Sequence, residues 1–525
     1  MSYYFKMDKE PVVEGIEDKL SRAKTDRWIF GLLLLAIALV PLLVGGHVKN
    51  VDGPHITNIE LLSSGLKGDV FTFYKMMALI IITAISVTLL LSKILFMNET
   101  LRKTKLNIFV AVFAIGIILS TVLSPSISIA LWGQYNRSDG AISYICYLAL
   151  FFVAINIEYP KKAIQYIMYS LYPFLLINLL LISMNFSGKD AMGYPVIQKM
   201  MTLFLPEGAT LGESSLLLGT LNQWNYMSGM FAVMTVMYLA WAIVDTNKIR
   251  SFVNVGFAVI AFTVMLMSLS TSGFITVVAL LPILIILIVK SGNSKKALIA
   301  TLAFIIVSVP LFHVLADKNP RVYAESIGFF LKKNPYTKEQ PTAVEKSIDF
   351  KSFSNRKAYA AENQFELPTL PVRNMAAGSG RTYIWQKTVE LTMERPLIGY
   401  GLDTLMYHFP HYNIDARAGM WNENTTVDKP HSMYMGVFYG TGIIGFIGFV
   451  GIAIITILYA LKATFFRMSS LIAIIAVGWL AFLIQALFND SLPGTAGPMW
   501  AIAGMMVGLL FAYKDTEEIT DGRDD

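Results

Sequence analysis

Twelve apolar runs constrain this chain more than any motif in it: 28–46, 72–95, 105–124, 140–158, 163–183, 225–244, 252–269, 272–290, 297–315, 434–460, 469–488 and 497–513. A helix needs about 20 residues to cross the roughly 30 Å hydrocarbon layer, and inside lipid its backbone polar groups must pair within the helix itself. The runs therefore predict an all-α polytopic membrane protein of about twelve transmembrane helices. Composition points the same way. Hydrophobic residues make up 55% of the 525 without counting 37 glycines, and charged residues only 15%, against roughly 25% in a soluble chain.

Twelve spans return both termini to one side. Under that count the polar N-terminal tail, Arg102-Lys103-Lys105, Lys161-Lys162, Lys248-Arg250, Lys290 with Lys295-Lys296, Lys462-Arg467 and Lys514 all share it. Basic residues near helix ends collect in the cytoplasm, so this side is expected to be cytoplasmic. The expected division is a cytoplasmic tail 1–27, spans one to nine within 28–315, a large extracytoplasmic loop with amphipathic helices at 316–430, spans ten to twelve within 431–513, and an acidic cytoplasmic tail 514–525. The stretch after Trp28 lacks a small-residue cleavage pattern and reads as a retained first span, not as a signal peptide. The loop 316–430 carries 15 basic and 13 acidic residues, a balance that predicts no strong electrostatic steering.

Several function classes fall away at this point. A net charge of +6, dispersed along the chain, does not predict a nucleic-acid partner. The single Cys146, inside an apolar run, permits no intramolecular disulfide or thiolate metal cluster. There is no Walker sequence, dinucleotide-binding glycine pattern or internal repeat, so no cofactor is expected and any chemistry must be driven by an activated substrate. His408 and His411 lack a third ligand at metal-site spacing, and no metal site is expected.

Polar groups that could carry chemistry gather in the connections assigned to the outer side. In LWGQYNRSDG (131–140), Arg137 stands where a span begins; it is either an interfacial, loop-stabilising arginine or an anion contact. In GTLNQWNYMSG (219–229), Asn222, Gln223 and Asn225 either cap the following helix or hydrogen-bond sugar hydroxyls; Asn489 and Asp490 before the last span have the same two uses. The richest stretch is GSGRTYIWQKTVELTMERPLIGYGLDTLMYHF (378–409). Its Ile384, Trp385, Thr388, Leu391 and Thr392 predict an amphipathic helix over 381–394, ended by Pro396 and turned by Gly399-Tyr400-Gly401, with Asp403 capping a second short helix. Arg381 would fall in that helix's first turn, where the dipole disfavours a cation unless an anion or carboxylate compensates. In KPHSMYMGVFYGTGIIGFIG (429–448), Pro430 suits a first helical position and puts His431 in the first turn of span ten. There the dipole and Lys429 favour a neutral imidazole able to take a proton.

A neutral base, arginines and amide-bearing loops on one face suit group transfer from a lipid-linked phosphate or diphosphate, but equally a transporter; a receptor or scaffold is the third class. The same segments resemble the O-antigen ligase and Wzy-type polymerase superfamily. WGQYNRSDG is similar to its arginine-glycine outer segment, GTLNQWNYMSG to its asparagine segment, GRTYIWQKTVELTMERPLIGYGLDT to its arginine-tryptophan helix and glycine-rich turn, and KPHSMYMGVFYGTGIIGF to its span-opening histidine. The resemblance extends over most of the chain. It implies a GT-C-like, metal-independent, inverting glycosyltransferase. Such an enzyme moves a glycan from an undecaprenyl-diphosphate carrier to a glycan, lipid or protein acceptor on the outer face, by ligation or polymerisation in cell-surface polysaccharide biosynthesis. His431 and Arg381 are then the expected catalytic residues, with Arg137, Asn222, Asn225, Trp385, Lys429 and Asn489 as expected substrate contacts. The chain departs from the family pattern at 268–281, SLSTSGFITVVALL, where Ser272 precedes Gly273 in place of a phosphate-binding arginine. The alternatives are a polysaccharide or lipid-linked oligosaccharide transporter and a non-catalytic envelope-assembly protein.

Overall fold

The computed structural model describes residues 16–51, 62–206, 217–221, 223–331, 333–337, 380–411, 426–465 and 471–521. In chain order the helices are α1 (Ile16–Leu39), α2 (Phe73–Phe96), α3 (Leu106–Val122), α4 (Ile127–Trp132), α5 (Ala141–Ile155), α6 (Ala163–Ser170), α7 (Tyr172–Phe186), α8 (Pro195–Met201) and α9 (Trp224–Val244). They continue with α10 (Lys248–Met267), α11 (Thr271–Lys290), α12 (Ser294–Lys318), α13 (Arg321–Ala324), α14 (Arg381–Glu394), α15 (Leu405–His408), α16 (Met433–Phe465), α17 (Ile472–Gln485) and α18 (Pro493–Asp521). Among the described residues, nine spans are long and apolar enough to cross a membrane, α6 and α7 together forming one of them. The shorter apolar helices α3, α5 and α17 occupy the other three places where an apolar run was expected.

Two differences from the sequence reading concern the first spans. The helix begins at Ile16 and not at Trp28, because a helix continues into water once its apolar part is anchored. The chain is also not purely helical: β1 (His47–Val51) and β2 (Gly65–Asp69) pair antiparallel, with His47 opposite Asp69. A connection between two spans lies outside the helices' own bonding, and pairing its strands satisfies backbone groups that would otherwise stay open.

Packing separates central from peripheral helices. Every residue of α9 from Tyr226 to Val244 is buried, and α9 packs against α10, α11, α12 and α17. By contrast α12 exposes Leu302, Ile305, Ile306 and Val309, the apolar face a peripheral helix presents to lipid. The helices α3 and α16 approach through small residues: a Cβ at Gly116 would lie 2.4 Å from the Gly445 Cα, and one at Gly448 would lie 2.4 Å from the Phe113 nitrogen. Such close backbone approach maximises dispersion contact where lipid offers no hydrophobic drive between helices.

The feature that positions the candidate site is a break in α16. At Gly442 the backbone takes φ +59°, ψ −164°, a region essentially confined to glycine. The groups freed by the break are met by the segment after α14: Tyr400 and Gly401 donate N–H bonds to the carbonyls of Tyr439 and Gly440, and Ile443 donates to Pro396. The Pro-Leu-Ile-Gly-Tyr-Gly turn is thereby seated in the kink of a membrane helix, and it carries α14 with it.

Candidate active site

Residues 428–433 run along one end of the bundle and are tied at each step to a different part of the chain. Asp428 pairs with Arg137 from the 133–140 loop. Lys429 Nζ lies 3.4 Å from the Ser491 carbonyl, the Pro430 carbonyl accepts the indole N–H of Trp385 at 2.6 Å, and His431 Nδ1 stands 3.4 Å from Asp490 Oδ2. The Ser432 N–H donates to Asp490 Oδ1 at 3.2 Å, and Met433 N–H is shared between the carbonyls of Ala486 and Asn489.

These bonds accompany a correction to the sequence reading. His431 is not in the first turn of α16; it precedes the helix with φ +53°, and α16 begins at Met433. The left-handed backbone at His431 turns the chain before it coils, and the 486–490 segment meets the Ser432 and Met433 N–H groups, which have no partner inside the helix. A second correction concerns Asp403, which does not cap α15. Thr404 holds the N-cap position, and Asp403, itself at φ +59°, accepts the Gln134 backbone N–H at 2.7 Å. Arg381 opens α14 as expected.

Asp490 organises the charges. Burial pushes its carboxyl up, but the hydrogen bond offered by His431 and the positive charges of Lys429 and Arg137 hold it below its ordinary value, so it is an anion here. Its Oδ2 is buried with no well-formed hydrogen bond; at 3.4 Å the His431 contact is longer than the usual 2.7–3.2 Å. Arg381 is driven down from its ordinary value by burial, against which Asp490 acts. Asp490 is therefore the compensating carboxylate that a cation at a helix N-terminus needs.

Beside this group lies a narrow crevice of about 30 Å³ lined by Asp139, Asp403, Asp428, Lys429, Asp490 and Ser491 among others. Asp139 is fully enclosed. Burial, with a contribution from Asp403, raises it to about 7, against the opposing pull of Lys429 and of hydrogen bonds from Ser491 and Tyr147. Sequence reasoning missed Asp139, Asp428 and Ser491; the only signal was polar residues, Ser-Asp-Gly and Asn-Asp-Ser, breaking long apolar stretches.

The expected substrate contacts separate into groups. Lys429 lines the crevice, and Trp385 reaches the site through Pro430. Arg137, 2% exposed, has its charge matched by Asp428. Asn225 is inside α9 and does not cap it: its Oδ1 accepts from the Ser270 hydroxyl at 2.7 Å. Asn489 donates to Gln485 Oε1 at 2.7 Å and to the Asn225 carbonyl at 3.2 Å, so these two amides knit helix ends together. Asn222 lies outside the described residues. Ser272 is buried, and its carbonyl accepts from the Gln485 amide at 2.7 Å.

Residues 256–450 match the family model described as O-antigen ligase. An O-antigen ligase domain over this span supports assignment to that superfamily. It contains Arg381, Trp385, Lys429 and His431, whereas Arg137, Asp139 and Asp490 come from outside the matched residues. The match is narrower than the resemblance seen in the sequence, and no curated protein matches the chain. It supports a glycan-handling role in the membrane and suggests an enzyme of the Wzy-type class. The long apolar helices together with the match support a polytopic inner-membrane location.

Proposed function

We propose that this protein is a twelve-span, GT-C-like glycosyltransferase that moves a glycan from an undecaprenyl-diphosphate carrier to an acceptor hydroxyl on the outer face of the bacterial cytoplasmic membrane, both termini being cytoplasmic. The observation that carries the proposal is His431 Nδ1 set 3.4 Å from the anionic, buried Asp490, a carboxylate that also lines a crevice with Lys429 and acts on Arg381.

In this reading Asp490 holds the Nδ1–H of a neutral imidazole and leaves Nε2 to accept the acceptor's hydroxyl proton. The acceptor oxygen forms a new bond to the anomeric carbon from the face opposite the carrier, the bond from that carbon to the diphosphate oxygen breaks, and the electron pair leaves with undecaprenyl diphosphate. Configuration inverts. Arg381 and Lys429 offset the negative charge that builds on the leaving diphosphate, and His431, charged by the transferred proton, is stabilised by Asp490. Trp385 acts on the reaction by fixing the Pro430 carbonyl next to His431, and Arg137 by fixing Asp428.

The test is transfer by purified protein in nanodiscs, read as undecaprenyl diphosphate released from a lipid-linked donor. His431→Ala is expected to abolish release. Full release by that variant refutes the proposed chemistry, and movement of donor without any release by the wild type indicates a transporter.

A further inference from the structure

A second depression lies on the same end of the bundle and takes no part in the chemistry above. It offers about 310 Å³ between the end of β1, the start of α4, the 133–135 segment and Tyr407, at the lower end of the roughly 300–1,000 Å³ range of small-molecule sites. Its polar lining comes from Asn50, Ser126, Ser128, Gln134 and Tyr135. Among the described residues Lys49 is the one charged side chain that lines it, and Val51, Ile127 and Ile129 supply apolar surface.

Gln134 is the informative residue. Its side chain is 2% exposed; its Nε2 approaches the Met406 sulfur at 2.8 Å, a weak acceptor, and its Oε1 has no hydrogen-bond partner among the described residues. That oxygen is enclosed just behind the groove wall, so a small swing of the Gln134 side chain would offer an open acceptor to a hydroxyl donor in the groove. Neutral amides and hydroxyls, aromatic rings and short apolar patches, with no carboxylate among the described lining residues, match the alternating hydroxyl and C–H faces of a sugar.

The partition between this groove and the crevice is thin. The 133–140 loop closes on itself through Gly133, whose φ is +84° and whose Cβ would lie 2.3 Å from the Asp139 nitrogen. Gly133, Gln134 and Tyr135 line the groove while Asp139 lines the crevice. The neighbouring turn divides in the same way, Tyr407 facing the groove and Leu402, Asp403 and Leu405 the crevice. The bond from the Gln134 N–H to Asp403 pins the two walls together.

We propose that this groove is a glycan-binding subsite that holds an oligosaccharide and presents one end of it at the crevice. Its direction toward the crevice rests on the transfer reading; its affinity for sugar does not.

The experiment uses the full protein in nanodiscs and, as probe, the water-soluble oligosaccharide released by mild acid from the lipid-linked glycans of cells that make the protein. Binding is followed by calorimetry and by saturation-transfer NMR. Ser128→Trp fills the groove from an exposed position, and Asn50→Ala removes an exposed amide, so neither disturbs the interior; unfolding curves verify this. Ser128→Trp is expected to weaken binding about tenfold or more and Asn50→Ala by a smaller factor, while His431→Ala binds as the wild type does. Equal affinity of Ser128→Trp and wild type overturns the subsite, as does absence of wild-type binding at millimolar oligosaccharide. The two readings fail separately: binding in the groove with no transfer from a lipid-linked donor removes the transferase and leaves the subsite, whereas unaltered binding and transfer by Ser128→Trp removes the subsite and leaves the transferase.

Discussion

Replacing Asp490 by Asn tests the proposed dyad most directly, because the amide keeps the shape and an acceptor oxygen for the Ser432 N–H while deleting the charge. With a separation of 3.4 Å between His431 Nδ1 and Asp490 Oδ2, a unit charge pair at an effective dielectric of about 20 interacts by roughly 5 kcal/mol. The His431 side chain is 33% exposed, so solvent screens part of this, and about half, some 2–3 kcal/mol, is a reasonable share. In the ground state a neutral imidazole gains little of it. The transition state, where positive charge develops on the ring, gains most. At 1.36 kcal/mol per tenfold, Asp490→Asn should lower kcat roughly 30- to 150-fold with little change in KM. The assay is carrier release by purified variants in nanodiscs, with unfolding curves run in parallel. Adding His431→Ala to Asp490→Asn should cost little beyond His431→Ala alone, since residues acting as one unit are not additive. A kcat within about threefold of wild type, or a loss confined to KM, would refute the argument.

Three further outcomes follow from the geometry. Trp385→Phe keeps the ring but leaves the Pro430 carbonyl without its 2.6 Å donor; it should lower stability by about 1 kcal/mol in denaturant unfolding and reduce kcat several-fold without altering oligosaccharide binding. Gly442→Ala sets a Cβ 2.5 Å from the Ile398 nitrogen at φ +59°; strain and overpacking together should cost about 2–5 kcal/mol, seen as a lower unfolding midpoint. Asp139, raised from 3.8 to about 7, binds more protons folded than unfolded between those values, so its contribution to stability is present at low pH and declines as pH rises toward 7, then levels off. Melting temperatures measured from pH 5 to 8 should show this slope, and Asp139→Asn should remove it.

Much of the architecture is written locally. Runs of about twenty apolar residues must become helices in lipid whatever they pack against, and this is why the runs alone located the membrane helices and the amphipathic α14, with Arg381 opening it. The end of that helix at Pro396 and the glycine turn after it are likewise matters of backbone conformation that single residues decide. What such reasoning could not reach was every contact made by distant partners. Pro430 favours a helix that includes His431; the structure sets His431 before the helix in a left-handed turn, with Asp490, Ala486 and Asn489 meeting the open N–H groups of the first turn. Asn225 and Asn489 suggest sugar contacts or caps; in the structure Asn225 accepts from Ser270 and Asn489 donates to the Asn225 carbonyl, bonds between helix ends far apart in sequence.

The sequence by itself determined that this chain lives in a membrane, where its helices run, and that a histidine and an arginine stand near helix ends, because these depend on spacing and side-chain type. Only the tertiary structure decided which carboxylate faces the histidine, that the turn after α14 fills a kink in α16, and that Asp139 is buried against Ser491, 352 residues away. A buried charge or an unpaired backbone group has to find a partner somewhere, and which partner it finds depends on how the helices pack.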